Sequence, residues 1–309
     1  MNDLLTGLLQ ESISGIALGC IYALIALGFT LIYKATEVVN FAQGELMMVG
    51  AYVNFFFVTQ FSGMAGGLNS YVFLMAFICS IIFAILFGII LDFIINRPLK
   101  DAPVFSIMLA TISLAIILRS LTTLIAGPIS LVPISPFGDS ALNIGSVVIS
   151  MLDISIISWT IILMVIFYFF FNKTRWGVAM QATSADPEAA QLMGIPVKKA
   201  YRFVWIFAAL VGVIGGVLLA PRMALLDTNM SYLGLKAFPA AILGGFGSIP
   251  GVVAGGIILG IIETISMGTL SFHFEWIKEI NDIIVWIALI VVLMIKPDGL
   301  FGIAKVKRV

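Results

Sequence analysis

Apolar stretches as long as a membrane-spanning helix recur along the whole chain, and they constrain its fold more than any other feature. A helix needs about 20 mostly apolar residues to cross a hydrocarbon layer roughly 30 Å thick. The pattern therefore predicts an all-α integral membrane protein, a polytopic helix bundle with broken or re-entrant segments in its second part. The long stretches are 13–33, 41–61, 71–95, 104–126, 147–171 and 203–220, and the short ones are 238–249, 252–267 and 283–295.

The amino-acid composition excludes other classes of protein. Hydrophobic residues make up 61% of the 309-residue chain and charged residues only 10%, so a water-soluble fold would lack polar surface. The apolar stretches are continuous rather than alternating, which argues against a membrane β-barrel. The net charge is zero, which gives no basis for nucleic-acid binding. The single histidine, His273, has no Cys or His neighbour at ligand spacing, so no metal site is predicted.

The distribution of the 16 Lys and Arg residues predicts the orientation in the membrane. With the N-terminus outside, twelve lie in inner loops, three in outer loops and one, Arg119, within a span. Because positive charge concentrates in cytoplasmic loops, we expect an outer N-terminus and a cytoplasmic C-terminus. Residues 238–267 either re-enter the membrane, which leaves seven crossings, or traverse it twice, which makes nine. The inner group is Lys34, Arg97, Lys100, Lys173, Arg175, Lys198, Lys199, Arg202, Lys296, Lys305, Lys307 and Arg308, and the outer group is Arg222, Lys236 and Lys278.

The longest inner loop, residues 172–202, contains the signals of a short helix. Ser184 or Asp186 can cap it, Pro187 suits its first turn and Gly194 suits its end. Two turns, roughly 12 Å long, are too short to be stable alone in the cytosol, so something must pack on them. The segment is either a connector lying on its own protein's inner surface or a lever pressed by a partner.

Two segments place polar or flexible residues where a membrane helix is ordinarily uniform. Irregular backbone at membrane depth persists only where it lines a cavity or is buried in protein, and in many transporters it supplies the substrate site. We therefore predict a substrate pathway along both segments, although close helix packing through small residues explains the glycines equally well. The predicted pathway residues are Asn40, Phe41, Gln43, Gly44 and Glu45 in the first segment and Gly244, Gly245, Gly247 and Ser248 in the second.

Ionisable residues also fall inside the predicted spans, where a charge at the bilayer centre costs about 2.5 to 3.5 kcal/mol. Asp92 and Asp153 lie near span ends, and we expect them to reach the interface. Arg119 lies deeper, and its expected partner is Glu45 or Glu263, each from another helix. We predict a structural role for this pair, because a neutral pair can set helix register without any substrate.

Three ordered motifs resemble one family of transporters. Residues 19–52, GCIYALIALGFTLIYKATEVVNFAQGELMMVGAY, are similar to the start of the LivH-type permeases of branched-chain amino acid ABC importers. The similarity continues through ADPEAAQLMGIPV at 185–197 and FPAAILGGFGSIPGVVAGGIILGIIE at 238–263. This family usually has His where Gln43 stands, so a His-specific role is not expected here.

The resemblance implies an ABC importer permease, with one transmembrane permease domain over residues 1–309 and a cytoplasmic coupling loop at about 172–202. Part of that loop looks like the EAA loop by which such permeases engage their ATPases. The implied ATPase-coupling residues are Asp186, Pro187, Glu188, Ala189, Ala190 and Gly194.

The resemblance also implies the partners and the work of the complex. They are a second, LivM-like permease, two ATPase subunits that hold ATP and magnesium, and an extracytoplasmic solute-binding protein, at a bacterial cytoplasmic (inner) membrane. This chain has no GxxxxGK[ST] sequence, so it is expected to be no enzyme and to carry no cofactor. Alternating access would move branched-chain or other hydrophobic amino acids inward. Urea or short amides, which the same family carries, and an ion-gradient-driven carrier are the alternatives.

Overall fold

The protein is represented by a computed structural model that describes residues 2–99, 102–135, 140–144, 147–274, 276–297 and 299–302. Four of the residues assigned to inner loops, Lys100, Lys305, Lys307 and Arg308, lie outside the described residues. The chain forms two compact units. Unit 1 consists of Met1–Thr30, Phe137–Thr160 and Leu235–Val309, and unit 2 of Leu31–Pro136 and Ile161–Gly234. The expected single permease domain stays a prediction.

The described residues are almost entirely helical, as the apolar stretches predict. Seven helices, counted among the described residues, are long and apolar enough to cross a membrane. The helices up to the polar loop are α1 (Asn2–Thr36), α2 (Gln43–Ala65), α3 (Ser70–Leu91), a π-helical turn at Asp92–Asn96, α4 (Arg97–Leu99), α5 (Val104–Ala126) and α6 (Met151–Lys173). The helices that follow are α7 (Arg175–Ala185), α8 (Pro187–Leu192), α9 (Val197–Arg222), α10 (Ser231–Gly244), α11 (Ile249–Ile265), α12 (Ser271–His273) and α13 (Trp276–Ile295).

A short β-hairpin precedes α6 and corrects one predicted boundary. Strand β1 (Ala141–Ile144) pairs antiparallel with β2 (Val147–Ser150). The predicted span at 147–171 is therefore wrong over its first four residues, which form a strand. The physical reason is local, because β-branched Val147, Val148 and Ile149 favour extended backbone once a partner strand is at hand. The helix then begins at Met151.

The second half of the chain contains the short helices that the sequence left open. Helix α10 has 14 residues, which is about 21 Å and less than a hydrocarbon layer of roughly 30 Å. Helix α11 continues through a π-helical turn at Ser266–Leu270 into α12, and together they are long enough to span.

Small residues allow close helix packing inside each unit. In unit 1, a side chain at Gly15 would lie 2.7 Å from the Ile261 backbone, and one at Gly256 would lie 2.7 Å from the Gly19 carbonyl oxygen. The packing explanation therefore holds for Gly256, because only small residues let two backbones approach so closely. In unit 2, α9 packs against α2 and α3, with Gly88 of α3 against the Ile206 backbone.

Candidate functional site

The first predicted pathway segment links α1 to α2 inside unit 2 and is held by hydrogen bonds. The Asn40 side chain is fully buried, and its Oδ1 accepts a hydrogen bond from the Ala42 N–H at 3.1 Å. The Phe41 N–H donates to Thr111 Oγ1 at 3.3 Å, and Gln43 Nε2 donates to the Ala208 carbonyl at 3.0 Å. This irregular backbone is thus anchored to both α5 and α9.

Gly44 brings the start of α2 against the start of α10. A Cβ atom at Gly44 would collide with the carbonyl oxygen of Ser231 and would lie 3.2 Å from the Gly234 Cα. Both obstacles are backbone atoms, which a rotamer change cannot move. Glycine at this position therefore has a packing explanation, and its pathway role stays a prediction.

Arg119 pairs with Glu45, one of the two partners expected for it. Its Nη2 lies 2.8 Å from Glu45 Oε1 and 2.7 Å from Ser231 Oγ, and its Nη1 lies 3.0 Å from the Tyr232 hydroxyl. The guanidinium also lies over the Tyr232 ring, 4.5 Å from its centroid. The Glu45 side chain is 7% exposed and that of Arg119 is 32% exposed, so the carboxylate is the more deeply buried charge.

Glu263 has a different cation, Lys236, in unit 1. Lys236 Nζ lies 2.8 Å from Glu263 Oε1 and 2.7 Å from Asp282 Oδ1, and the Tyr22 hydroxyl donates to Glu263 Oε2 at 2.6 Å. The assignment of Lys236 to an outer loop is therefore wrong, because this residue lies within α10. Its side chain is mostly buried and neutralises a buried carboxylate.

Asp92 and Asp153 are buried within the protein, and their expected place at the membrane interface stays a prediction. Asp92 is 1% exposed and accepts hydrogen bonds from Asn96 at 2.8 Å and from Arg97 and Arg202, each at 3.4 Å. Asp153 is 6% exposed and accepts a hydrogen bond from Ser14 at 3.1 Å. Donors supplied by the protein replace water at both carboxylates.

The second predicted pathway segment is the turn between α10 and α11 in unit 1. Gly245 and Gly247 have φ values of 93° and 141°, which glycine adopts readily. Ser248 caps α11 by accepting a hydrogen bond from the Gly251 N–H at 3.2 Å. A side chain at Gly244 would collide with the Gly251 backbone. Each of the four residues thus has a structural explanation, and their pathway role stays a prediction.

The polar loop folds into two helices, of which only α8 was predicted. Asp186 caps α8 by accepting a hydrogen bond from the Ala189 N–H at 2.9 Å, and Pro187 lies in its first turn. Gly194 has a φ of 81°, as a helix stop requires. Of the two caps that the sequence offered, Asp186 is the one used, and the Ser184 hydroxyl instead donates to the Lys34 carbonyl.

Helix α8 lies on the surface with most of its side chains exposed. Ala190 is 4% exposed and is its one buried residue, while Glu188 and Ala189 are exposed. At the end of the helix, Leu192 and the following Met193 are 89% and 83% exposed. Large apolar side chains on a surface outside any candidate span suggest contact with another protein.

A cavity of about 330 Å³ in unit 2 touches both the first pathway segment and the start of α8. Asn40 and Trp205, which border it, are 0% and 2% exposed. Among the described residues, neither Asn40 Nδ2 nor Trp205 Nε1 has a hydrogen-bond partner. A buried donor without an acceptor costs about 1 to 3 kcal/mol. The sequence analysis did not single out Trp205, because nothing in its apolar helix distinguishes a tryptophan that lines a cavity from one that only packs.

Comparisons with known proteins agree with the resemblance of the motifs. A family model described as "Branched-chain amino acid transport system / permease component" matches residues 12–293. The high-affinity branched-chain amino acid transport system permease protein BraD of Pseudomonas aeruginosa is 32% identical, over 97% of this chain and 98% of its own. The corresponding LivH protein of Salmonella typhimurium is 30% identical over 100% of both chains.

A solved structure, PsaBC from Streptococcus pneumoniae in complex with Fab, covers 96% of each chain at 15% identity, with a TM-score of 0.48. That similarity is too low to carry a structural argument. The family model, in contrast, spans nearly the whole chain, including both predicted pathway segments and the loop that contains α8. This multi-pass membrane protein therefore belongs to the family of branched-chain amino acid transport system permease components.

Proposed function

We propose that this chain is the permease subunit of an ATP-driven importer that brings branched-chain amino acids into the cytoplasm. Relatives that match it end to end, at 30% to 32% identity, are named as permease proteins of high-affinity branched-chain amino acid transport. A bacterial cytoplasmic membrane is the location that the family resemblance implies, and the positive-inside count supports an N-terminus on its outer side. Alternating access would expose the pathway first to a solute-binding protein and then to the cytoplasm.

The exposed apolar end of α8 carries the ATPase-coupling part of the proposal. Six residues of helix are too few to be stable alone, and the Ala190 side is already packed. Leu192 and Met193 leave a large apolar surface uncovered beside the exposed Glu188. An ATPase subunit that covers this surface would move α8 when it binds and hydrolyses ATP with magnesium. We assign this coupling role to Asp186, Pro187, Glu188, Ala189, Ala190 and Gly194.

The Arg119 face of α5 supports a second permease beside this one. The Arg119 side chain is 32% exposed, and contact between its charged guanidinium and lipid tails would be unfavourable in free energy. A LivM-like permease, with a polar pathway along the contact, would provide a suitable environment for Arg119 and for the half-exposed Tyr232. The segment Asn40–Glu45 adjoins this cluster through Glu45 and would contribute to the pathway wall. For the turn at residues 244–248 in unit 1, the pathway role is proposed on the resemblance of its motif alone.

Co-purification tests the coupling surface directly. The importer is co-expressed with its ATPase subunits, and the permease is captured from detergent. We expect the double variant Leu192→Glu with Met193→Glu to lose most of its ATPase, because two charges replace the apolar contact. The matched control, Leu192→Met with Met193→Leu, keeps the surface apolar and should retain the ATPase. Full retention in the charged variant would remove the docking role of α8.

Uptake into proteoliposomes tests the substrate. We expect ATP-dependent accumulation of leucine, isoleucine and valine when the solute-binding protein is supplied. Accumulation of urea or short amides in place of these amino acids would contradict the proposed substrate. Leucine uptake that is driven by an ion gradient without ATP would contradict the energy source.

A further inference from the structure

Two arginines of unit 2 share one buried carboxylate beyond the end of α3. The Nε atoms of Arg97 and Arg202 each lie 3.4 Å from Asp92 Oδ2, so they lie within twice that distance of each other. Arg97 directly follows the π-helical turn after α3, and Arg202 belongs to α9. Because one carboxylate cannot neutralise two guanidinium groups, the cluster keeps an excess of positive charge.

The outer ends of both guanidinium groups are available to bind an anion. The side chains of Arg97 and Arg202 are 44% and 39% exposed. Each donates to Asp92 through Nε, and their Nη atoms have no hydrogen-bond partner among the described residues. Arg97 also lies over the Phe93 ring, 5.3 Å from its centroid, which helps to hold it in place. Guanidinium N–H groups fixed in this way suit the oxygens of a phosphate.

Exposed apolar side chains lead along α3 to this cluster. Leu86, Ile90 and Phe93 are exposed, and they belong to the candidate membrane span Ser70–Leu99, which ends two residues after Arg97. Exposed apolar surface of this kind marks contact with a membrane. The arginines therefore lie where the apolar surface of α3 ends, which is the depth expected for lipid headgroups.

Two features of α9 agree with this depth. Trp176 of α7 packs against Phe203, the residue next to Arg202, with ring centroids 4.8 Å apart. Tryptophan is enriched at membrane–water interfaces. Lys198 is exposed and lies one helical turn before Arg202, on the same face of α9. Positive charge thus continues from the cluster toward the cytosol of the proposed orientation.

We propose that Arg97 and Arg202 bind the phosphate of an anionic phospholipid in the cytoplasmic leaflet. Their guanidinium groups hold the phosphate oxygens, and the acyl chains cover the exposed apolar side chains of α3. The excess positive charge favours a headgroup with a net negative charge over a zwitterionic one. The leaflet follows from the proposed orientation, whereas the site itself is independent of the transported solute.

Two other sources of negative charge would match the guanidinium groups alone. They are a free phosphate ion and an acidic surface of an ATPase subunit. Both are water-soluble, so neither accounts for the exposed apolar side chains that adjoin the arginines on α3. A phospholipid accounts for the charged and the apolar part of this surface together.

Native mass spectrometry of the complete membrane complex tests the site by counting bound lipids. Phosphatidylglycerol and phosphatidylcholine with the same acyl chains are titrated separately. Arg97→Gln with Arg202→Gln should weaken phosphatidylglycerol binding about tenfold or more and change phosphatidylcholine binding little. The matched control, Lys173→Gln with Arg175→Gln, removes two exposed positive charges near the junction of α6 and α7. It should bind phosphatidylglycerol as the unmodified complex does.

Two further variants keep the test decisive if the double variant does not assemble. Losing both arginines leaves Asp92 buried without a cation, so adding Asp92→Asn removes that charge at nearly constant shape. The triple variant should still bind phosphatidylglycerol as weakly as the double variant. Arg97→Gln alone keeps the pair of Arg202 with Asp92 and should weaken phosphatidylglycerol binding by a smaller factor.

Four results would overturn the lipid site. One is unchanged phosphatidylglycerol binding in the double or triple variant, and another is equal binding of phosphatidylcholine by the unmodified complex. Phosphatidylglycerol binding that excess inorganic phosphate abolishes would identify a soluble anion as the ligand. Loss of the ATPase subunits from the double variant, with lipid binding unchanged, would assign the arginines to the ATPase interface. All four leave leucine uptake by the unmodified importer untouched, so the proposed function is tested separately.

Discussion

Removing Arg119 is the sharpest test of how charge is accommodated inside this protein. The Arg119 guanidinium is the cation paired with Glu45, at 2.8 Å, and the Glu45 side chain is only 7% exposed. In Arg119→Leu, the carboxylate would remain buried without a cation. Breaking a buried pair from one side costs about 3 to 5 kcal/mol. Because Arg119 is partly exposed, we expect the lower end, about 3 kcal/mol, which is more than a hundredfold in the folding equilibrium.

The assay is the yield of monodisperse protein and its melting temperature in detergent. Arg119→Leu should lower both strongly. Adding Glu45→Gln to Arg119→Leu removes the unpaired charge at nearly constant shape, so the double variant should recover most of the loss. Glu45→Gln alone should cost less than Arg119→Leu, because Ser231 and Tyr232 still bind the arginine. Such non-additivity is the signature of a direct pair.

One result would refute this reasoning. If Arg119→Leu is produced and melts like the unmodified protein but no longer transports, the pair does not stabilise the fold. Arg119 would then act on the solute. A double variant no more stable than Arg119→Leu would also contradict the pairing, since removing the carboxylate's charge would have relieved nothing.

Three further changes follow from the same geometry. Gly44→Val should lower the melting temperature by forcing α2 from α10, at about 1 to 3 kcal/mol, while Gly63→Val, with nothing within 4 Å of its Cβ, should be far milder. Lys236→Met should cost about 3 kcal/mol in thermal unfolding by leaving Glu263 without its cation, and adding Glu263→Gln should restore stability. Asp186→Ala should remove about 1 kcal/mol of capping from α8 and reduce transport-coupled ATP hydrolysis. Asp186→Asn should keep both the cap and the ATP hydrolysis. Equal ATP hydrolysis in the two variants would show that the cap is dispensable.

The sequence predicts the membrane helices well because their signal is local. To cross a bilayer, a segment needs a continuous apolar stretch whose backbone N–H and C=O groups are hydrogen-bonded within the segment. Both conditions depend only on residues that are close in the sequence. The short helix α8 was predictable for the same reason, since its cap at Asp186 and its stop at Gly194 lie within one stretch of the chain. The strand at Val147–Ser150 escaped prediction because it depends on a partner strand.

The candidate site shows the opposite case. From the sequence, Arg119 needed an acid, and Glu45 and Glu263 were equal choices. In the tertiary structure Arg119 pairs with Glu45, 74 residues away in the sequence, and Glu263 pairs with Lys236. Packing also buries Asp92 among hydrogen-bond donors and forms the cavity lined by Asn40 and Trp205. Hydropathy is a property of each segment, and so the sequence by itself determined a bundle of membrane helices with a short polar-loop helix. Charge pairing and cavities depend on which helix faces lie together, and only packing decides that.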